Sequence, residues 1–407
     1  MKFVFSFVLI LFLILNGSVS GQSPVKVDIT EAIKKQTEFK MSDLISKVEL
    51  ITLKSDGKLL LGGQPEILFF GRKHILMGSE QGNKIGLYDR SGQLKTTIGR
   101  IGKGPGEYLD MVTGTIDPLG KYVVLYDQLG MKLILFDIDG RFIREKKVVA
   151  PRQGRITNIL AFIDTNTFGL MMMRPPGPTN DYASILLFNL KLDPVGKSLK
   201  RANDSHLPRF NYQFCNFSNS PVGPVFFELL SDTLYRINAD GSAKPLFYFE
   251  ISKTKLPESL LQDPQLHKKD PKAADKYIMV QKVLLTSDYA IAFVGGSYGV
   301  LVFTNLKDGH TFSTSLPCPC AKSSPDYKMV AMLENDLFGT PNYFDNFWPE
   351  ANAFVNFFPA FVTNMAYNLD CIRKLNVKHP DTRNELLSVI EQQIYDDEVV
   401  LIVQYLK

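Results

Sequence analysis

The chain has 407 residues, of which 45% are hydrophobic and 22% are charged, and its formal net charge is +4. This length allows one large all-β domain or two to three ordinary ones, and the hydrophobic content is enough for a substantial core. The small net charge and the lack of a Lys/Arg block indicate neither nucleic acid nor an anionic membrane as a partner. The 29 phenylalanines and 29 glycines favour strands joined by tight turns.

The first 21 residues are predicted to be a signal peptide. A positive residue is followed by an apolar stretch from Phe3 to Leu15 and by small residues at 17–21, as in a cleaved secretion signal. The stretch is short for a membrane span, which disfavours the alternative of an uncleaved anchor, and no cysteine stands at the cleavage point as a lipoprotein requires. We expect an exported protein, soluble in the periplasm or outside the cell, without a transmembrane segment in its mature chain. Residues 22–42 are interpreted as a lead-in to the main domain.

A repeated turn sets the spacing of the main domain, residues 43–407. Each turn has a polar tip after an apolar strand and is expected to close on a glycine, since glycine adopts positive φ without steric cost. The intervals between these glycines are 48, 56, 45 and 68 residues, the positions being Gly92, Gly140, Gly196, Gly241 and Gly309. Such spacing is typical of propeller blades, each a four-stranded antiparallel sheet. The sequence therefore predicts an all-β fold, a six-bladed β-propeller with small helical insertions.

Two insertions and the final strand complete this organisation. Residues 255–276 are charged and broken by prolines, which indicates a loop with short helices, and residues 381–394 have the apolar spacing of one helix. The chain ends in an apolar strand, residues 398–406. We expect this strand to share the last blade with a strand from the N-terminal end, because such closure leaves no free edge.

The four cysteines, at positions 215, 318, 320 and 371, are too few for a disulfide-built scaffold. Cys318 and Cys320 resemble half of a metal-binding knuckle, but no second pair or nearby histidine completes it. Structural or incidental cysteines are therefore favoured over a metal site. Because an exported location permits pairing, one bond from Cys215 or Cys371 to the Cys318–Cys320 segment is compatible with the sequence.

Neither a catalytic centre nor a metal or cofactor site is indicated. The five histidines are scattered without the paired spacing of a zinc site. Asp89, Asp137 and Asp139 stand at turn tips, where aspartate caps its own backbone, and no EF-type calcium loop is present. No Gly-x-Ser-x-Gly elbow supports a serine hydrolase. We therefore predict no catalytic residue, no metal and no cofactor.

The stretch from Gly102 to Tyr108 connects the first two predicted blades. Its glycines and Lys103 suggest a phosphate loop, but a Walker loop needs Gly-Lys-Ser/Thr opening a helix, and here Pro105 follows between strands. The favoured interpretation is a tight crossing in which Glu107 binds backbone donors and Tyr108 packs. In the alternative, Lys103, Glu107 and Tyr108 face a ligand in the central channel.

Two further residues are candidates for ligand binding. Trp348 lies in an aromatic segment, residues 338–361, that either packs the last blade or stacks on a sugar or peptide. Arg174 lies in the segment 171–178, interpreted as an exposed loop after a strand. Loops from several blades converge at a propeller mouth, and both residues would belong there.

The chain resembles a known family through the run from Gly99 to Tyr108, which stands between two Tyr/Phe-Asp-x-x-Gly tips. That family comprises six-bladed β-propeller proteins of the envelope of Bacteroides-type bacteria, distant relatives of the NHL-repeat propellers. Supporting matches are residues 211–214, 231–237, 335–336, 347–349 and 361–365. The resemblance covers roughly Asp43 to Lys407. It implies the fold and an envelope or exported location, and no particular activity; many relatives carry the lipoprotein cysteine that is missing here.

Three functional hypotheses follow. The first is non-catalytic recognition of a peptide, a glycan or a partner protein at the channel mouth. The second is a propeller lyase or hydrolase acting on a glycan or peptide, and the third is a structural role in an envelope assembly. An enzyme requires two carboxylates, or a histidine with carboxylates, converging in the channel. An aromatic or simply packed channel favours binding.

Overall fold

The computed structural model describes residues 23–55, 59, 61, 65–79, 84–109, 112–148, 160–172, 182–201, 216–227, 232–251, 277–296, 299–314, 320, 333–339, 347–357, 368–392 and 399–407. The predicted signal peptide, the segment 255–276 and most of the segment 171–178 lie outside them. Within the described residues, the secondary structure is mostly strand, with four short to medium helices. None of these helices is long and apolar enough to cross a membrane.

The elements follow one another along the chain with the bounds given in this paragraph. In chain order they are β1 (Val25–Asp28), α1 (Ile29–Lys34), α2 (Met41–Leu44), β2 (Ile45–Leu53), β3 (Glu66–Phe70), β4 (His74–Gly78), β5 (Ile85–Asp89), β6 (Leu94–Thr97), β7 (Arg100–Ile101), β8 (Glu107–Tyr108), β9 (Val112–Ile116), β10 (Tyr122–Asp127), β11 (Lys132–Asp137), β12 (Phe142–Lys147), β13 (Leu160–Phe162), β14 (Thr167–Met171), β15 (Tyr182–Asn189), β16 (Pro194–Arg201), β17 (Asn216–Ser218), β18 (Val225–Phe227), β19 (Thr233–Ile237), β20 (Ala243–Glu250), β21 (Ile278–Leu285), β22 (Tyr289–Gly296), β23 (Val300–Asn305), β24 (Thr311–Thr314), β25 (Phe347–Trp348), β26 (Ala353–Phe357), α3 (Leu369–Lys374), α4 (Pro380–Gln392) and β27 (Val399–Leu406). Strands dominate because apolar runs alternate with polar tips along most of the sequence.

Six small sheets form a ring, and the predicted six-bladed β-propeller is confirmed. Blade 1 is β3–β6, blade 2 is β9–β12, blade 3 is β13–β16, blade 4 is β17–β20, blade 5 is β21–β24, and blade 6 combines β25, β26, β27 and β2. The first strands of several neighbouring blades contact one another, so they are innermost and the fourth strands are outermost. Hydrophobic clusters fill the spaces between adjacent blades.

The ring closes in blade 6, where strands from the two ends of the chain meet. The C-terminal strand β27 pairs antiparallel with β2, from Val399 opposite Leu53 to Leu406 opposite Ile45. Both strands are apolar on the faces that enter the core. The predicted closure is therefore confirmed, and β2 supplies the outermost strand of the blade.

The hairpin tips explain the repeat seen in the sequence. In blade 2, Asp137 Oδ1 accepts the backbone N–H groups of Asp139 and Arg141, and Gly140 closes the turn at φ +84°. A Cβ on Gly140 would lie 2.9 Å from the carbonyl oxygen of Thr97 in blade 1. Glycine therefore serves both the turn and the close approach of two blades.

In blade 3, the prediction that Gly196 closes the turn was wrong. Leu192 takes the left-handed position, at φ +64°, while Gly196 lies inside β16. The turn is still held by its first residue, because Asn189 Oδ1 accepts the N–H groups of Lys191 and Asp193. The side-chain cap specifies this turn without help from a glycine.

Residues 25–44, which we call the N-terminal strap, run around the outside of blades 4 to 6. β1 joins blade 4 as a fifth strand, parallel to β20, with Val25 opposite Phe247 and Asp28 opposite Glu250. α1 then buries its apolar face in the cluster between blades 4 and 5. Asp28 caps α1 by accepting the N–H of Glu31 at 2.9 Å, which is a favourable N-cap arrangement.

Two helices lie between β26 and β27, and a disulfide joins the first of them to the segment after blade 5. In the predicted helix, now α4, the apolar residues Leu386, Leu387 and Ile390 are buried, which confirms that prediction. Cys371 of α3 forms a disulfide with Cys320, after blade 5. One of the alternative pairings is thus confirmed, while the other two cysteines lie outside the described residues.

The antiparallel blades give the ring two distinct faces. Turns between first and second strands lie at one end of every sheet, which we call the turn face, and so do the turns between third and fourth strands in blades 1 to 5. Connections between blades, and those between second and third strands, belong to the opposite end, the connector face.

Candidate functional site

Three of the predicted ligand residues lie in the connector, defined as residues 99–108 between blades 1 and 2. Its short strands β7 and β8 pair in parallel, and the N–H of Gly102 donates to the carbonyl of Tyr108 at 2.9 Å. The connector belongs to the connector face because it leaves the last strand of one blade and leads to the first strand of the next. Lys103 is exposed on it.

Tyr108 is a core residue of the interface between blades 1 and 2. Its side chain is 1% exposed and belongs to the hydrophobic cluster that contains Ile98 and Phe136. Burial raises the pKa of the Tyr108 phenol, and a backbone hydrogen bond from Ile85 opposes that rise. The ring therefore joins two blades and has almost no surface for a ligand.

Glu107 is fully engaged within the connector. Its Oε2 accepts the N–H of Gly104 at 2.8 Å, and its Oε1 accepts Arg100 Nε at 2.7 Å. The backbone bond from Gly104 and then the bond from Arg100 hold the pKa of Glu107 below its usual range. This is the arrangement that the packing interpretation describes; a ligand role for Glu107 stays a prediction.

Two acidic residues of blade 2 fasten the connector to the ring. Asp127, which is fully buried, accepts the N–H groups of Leu109 at 3.0 Å and Gly130 at 2.8 Å. Glu145 Oε2 accepts the N–H of Gly106 at 3.1 Å and Lys132 Nζ at 2.9 Å. These backbone N–H groups and charged side chains are therefore satisfied inside the protein, as buried polar groups usually are, whereas the buried Tyr126 Oη and Gln128 Oε1 beside Asp127 have no described partner.

Trp348 lies far from the connector, at the turn-face end of the first strand of blade 6. It is 8% exposed and packs edge-on against Phe69 of blade 1, with ring centroids 5.9 Å apart. Its indole Nε1 is shielded from solvent and has no acceptor among the described residues. Arg174 lies outside the described residues, so the structure does not bring the five predicted residues together.

Next to Trp348, three first turns meet across the channel at the turn face. Asn219 Nδ2 of blade 4 donates to Glu350 Oε1 of blade 6 at 3.3 Å. Arg72 Nε of blade 1 donates to the backbone carbonyl of Glu350 at 2.8 Å. Blades 4 and 6 are not neighbours in the ring, so the contact between Asn219 and Glu350 spans the channel. We call Arg72, Asn219, Trp348 and Glu350 the turn-face site.

Glu350 contributes a largely buried carboxylate to this site. Its Oε2 is shielded from solvent and has no hydrogen-bond partner in the part of the chain that the structure describes. Burial raises the pKa of Glu350, and the bonds from its own backbone and from Asn219, with the charge of Arg72, only partly oppose the rise. An unpaired buried oxygen of this kind costs about 1–3 kcal/mol. Glu350 can therefore accept a donor from a ligand, and Trp348 can donate to one.

The turn-face site does not bring together an acid/base pair. His74 lies nearby in sequence, at the start of β4, where burial and the charge of Lys73 lower its pKa. The charges that act on His74 come from Lys73, Asp89 and Lys95, and Glu350 is not among them. Across the described ranges, no group of three His, Cys, Asp or Glu side chains is placed to hold a metal ion.

Sequence reasoning found Trp348 but missed Arg72, Asn219 and Glu350. Each of the three stands in an ordinary polar turn, and the two that meet across the channel are 131 residues apart. A usable signal was present: Trp348, Pro349 and Glu350 follow one another directly, and Trp348 is the single tryptophan of the chain. A carboxylate beside an aromatic ring in a first turn indicates a channel mouth once the blades are assigned.

A solved structure shares this architecture, and a second one resembles it more weakly. A crystal structure from Bacteroides fragilis named "Putative exported protein" matches with a TM-score of 0.62 and 15% identity, over 95% of this chain and 100% of that one. A member of the duf4221 family from Bacteroides vulgatus gives a TM-score of 0.43 and 10% identity, over 68% of this chain and 88% of that one. No curated protein matches the chain. At such identities the first likeness shows the fold alone.

A family model matches nearly the whole chain. The model of a domain of unknown function, DUF4934, matches residues 24–404. This range includes the N-terminal strap, the ring and nearly all of the closing strand. The resemblance to propellers of Bacteroides-type bacteria is thus confirmed for fold and structural neighbours, while the link to NHL repeats stays a prediction. The chain belongs to the DUF4934 family.

Proposed function

We propose that the protein is a non-catalytic recognition module that holds a peptide, a glycan or a partner protein at the turn-face mouth of its channel. One observation carries the proposal: Glu350 meets Asn219 across the ring while its Oε2 has no partner among the described residues. Retaining a shielded, unpaired carboxylate lowers stability, so a function that uses the free oxygen accounts for it. The neighbouring Trp348 Nε1 adds a donor to the same mouth.

The chemistry of the site favours binding over catalysis. Asn219 and Trp348 offer hydrogen bonds but no proton transfer. The described first turns of blades 2, 3 and 5 also carry one carboxylate each, but these bind backbone N–H groups of their own turns or a lysine and have no described contact with Glu350: Asp117, Asp164 and Asp288. A lyase or hydrolase would need a second titrating group within reach of the first. A ligand that presents a donor and an acceptor side by side, as peptides and glycans do, would use both Glu350 and Trp348.

Export is the second part of the proposal. The predicted signal peptide supports it, and the disulfide between Cys320 and Cys371 is of the kind that persists in oxidising compartments. Mass spectrometry of the N-terminus after expression in a Bacteroides host tests it. We expect the first 21 residues to be removed; an intact N-terminus in the cytoplasmic fraction would contradict export.

Binding is tested by screening the wild-type protein on peptide and glycan arrays, with Glu350→Gln as the site variant and Glu107→Gln as the matched control. We expect ligands that bind the wild type and the control, and that bind Glu350→Gln about 10- to 100-fold more weakly, because a hydrogen bond to a charged group is lost. Binding that is equal for all three proteins would reject the turn-face site, and no binding by the wild type on either array would reject the peptide and glycan ligands. Turnover of an arrayed compound by the wild type would favour the enzyme instead.

A further inference from the structure

We infer that the outer edge of blade 2, strand β12, is a docking edge for an acidic, extended segment of a partner protein, which joins the blade as a fifth strand. This surface is separate from the turn-face site, and it does not depend on the function proposed for that site. The inference comes from the exposure of β12, from what covers the other blades and from the charges along the strand.

β12 is exposed along its whole length. All six residues from Phe142 to Lys147 are exposed, including two large apolar ones, Phe142 at 40% and Ile143 at 37%. In the sheet order, β12 pairs with β11 on one side and with no described strand on the other. An edge of this kind carries unpaired backbone donors and acceptors and can template another strand.

Two other blades of the ring have their outer strands covered by the N-terminal strap. On blade 4, the outer strand β20 has a fifth strand beside it, because β1 of the N-terminal strap pairs with it in parallel. β1 alternates apolar and charged residues, Val25-Lys26-Val27-Asp28, and Val27 is only 1% exposed. The outer strand of blade 5 is likewise covered, since Ser313 of β24 bridges to Gln36 of the strap. The strap reaches blades 4 to 6 and leaves blade 2 open.

The charges along β12 indicate the charge of the partner segment. Arg141, Arg144 and Lys147 are exposed, and none of them forms an ion pair with another described residue. The pKa of Asp193 is lowered mainly by Lys146, and the charge of Arg144 contributes less. The one acidic residue of the strand, Glu145, is neutralised by Lys132 at 2.9 Å. Lys146 is already paired with Asp193 of blade 3 at 2.6 Å. The edge therefore presents unpaired positive charge to an incoming strand.

A second copy of this chain does not fit the edge. Two β12 strands placed side by side would set Arg144 and Lys147 of each against like charges, which is destabilising in cross-strand pairs. Lysines on sheet edges discourage self-pairing in the same way. An acidic strand with alternating apolar residues fits β12. Its carboxylates can pair with Arg144 on one face of the sheet, its apolar residues can pack against Phe142 and the stem of Lys147 on the other face, and its backbone completes the ladder.

The test uses two blocked octapeptides as probes, one alternating valine with aspartate and one alternating valine with lysine. Hydrogen exchange of the wild-type protein is followed by mass spectrometry with each peptide, and affinity is measured by calorimetry at low and high salt. We expect the acidic peptide alone to protect the amides of β12, with no added protection in β6, and to bind more weakly as salt rises.

The variant Arg144→Glu/Lys147→Glu removes the positive charge, and Lys95→Glu/Lys197→Glu on the outer strands of blades 1 and 3 is the matched control. Circular dichroism checks that both variants are folded. We expect the first variant to bind the acidic peptide at least tenfold more weakly and the control to bind within about twofold of the wild type. Three results would each overturn the inference: no protection of β12 by the acidic peptide, equal protection by both peptides, or unchanged binding by Arg144→Glu/Lys147→Glu.

Discussion

The connector and the turn-face site each place an arginine beside a glutamate, but the two pairs are built differently. In the connector, Arg100 Nε reaches the carboxylate of Glu107 at 2.7 Å, and the N–H of Gly104 occupies the other oxygen. At the turn face, Arg72 Nε reaches the backbone carbonyl of Glu350 at 2.8 Å and leaves Oε2 without a described partner. The first glutamate holds a turn together, whereas the second keeps one shielded carboxylate oxygen without a described partner.

This difference appears in the acidity of the two groups. Hydrogen bonds from Gly104 and Arg100 lower the pKa of Glu107, so its ionised form stabilises the fold. Burial raises the pKa of Glu350, so its ionised form destabilises the fold. Two glutamates in similar polar turns thus act on stability with opposite signs, and the unsatisfied one marks the better candidate for function.

The largest effect is expected at Tyr108. Because its ring is 1% exposed within the cluster that joins blades 1 and 2, Tyr108→Ala should lower the free energy of unfolding by about 3–5 kcal/mol. Urea unfolding measures the change, and Trp348→Phe is the comparison at the turn face. Since Trp348 Nε1 has no described acceptor, removing its N–H should cost less than the Tyr108 change. Equal losses for both variants would remove the distinction between the two regions.

A smaller effect is expected at Asp127, which fastens the connector to blade 2. Asp127→Ala leaves the N–H groups of Leu109 and Gly130 without their acceptor. The free energy of unfolding should fall by about 1–3 kcal/mol. Asp139→Ala, at an exposed turn position of the same blade, is the control and should change it by less than about 0.5 kcal/mol. If Asp127→Ala matched the control, the connector would not depend on these bonds.

Much of the fold was predictable because its determinants are local. The aspartate tips at Asp89 and Asp137 fold their own turns through bonds to residues two and four positions later. Repetition of that motif identified the blades, and the apolar strand at the C-terminus identified the closure. Leu192 shows the limit of the approach, since a capped turn does not need the glycine that the pattern led us to expect.

The turn-face site was less predictable because it depends on the closed ring. Asn219 and Glu350 come from blades that are separated by a third one, and no local pattern relates them. The N-terminal strap was missed for the same reason: β1 pairs with a strand more than 200 residues later. Residues 22–42 were interpreted as a lead-in with no assigned partner, since composition alone does not show which blade such a segment covers.

The most direct test of the account is the pH dependence of stability in Glu350→Gln, with Glu107→Gln as its counterpart. Glu350 has a raised pKa, so the wild type loses stability relative to Glu350→Gln as pH rises through that pKa, and the variant should be more stable by about 1 kcal/mol at pH 8. Below the ordinary glutamate value of 4.5 the two proteins should converge.

Glu107 has a lowered pKa, so the wild type should exceed Glu107→Gln at neutral pH and lose that advantage as pH falls through the folded-state value. Urea unfolding of the three proteins between pH 4 and pH 8 measures both trends. We expect opposite signs for the two variants at pH 8. A Glu350→Gln protein that is less stable than the wild type at pH 8 would show that this carboxylate is paired within the fold, and would contradict the assignment of the turn face as a binding site.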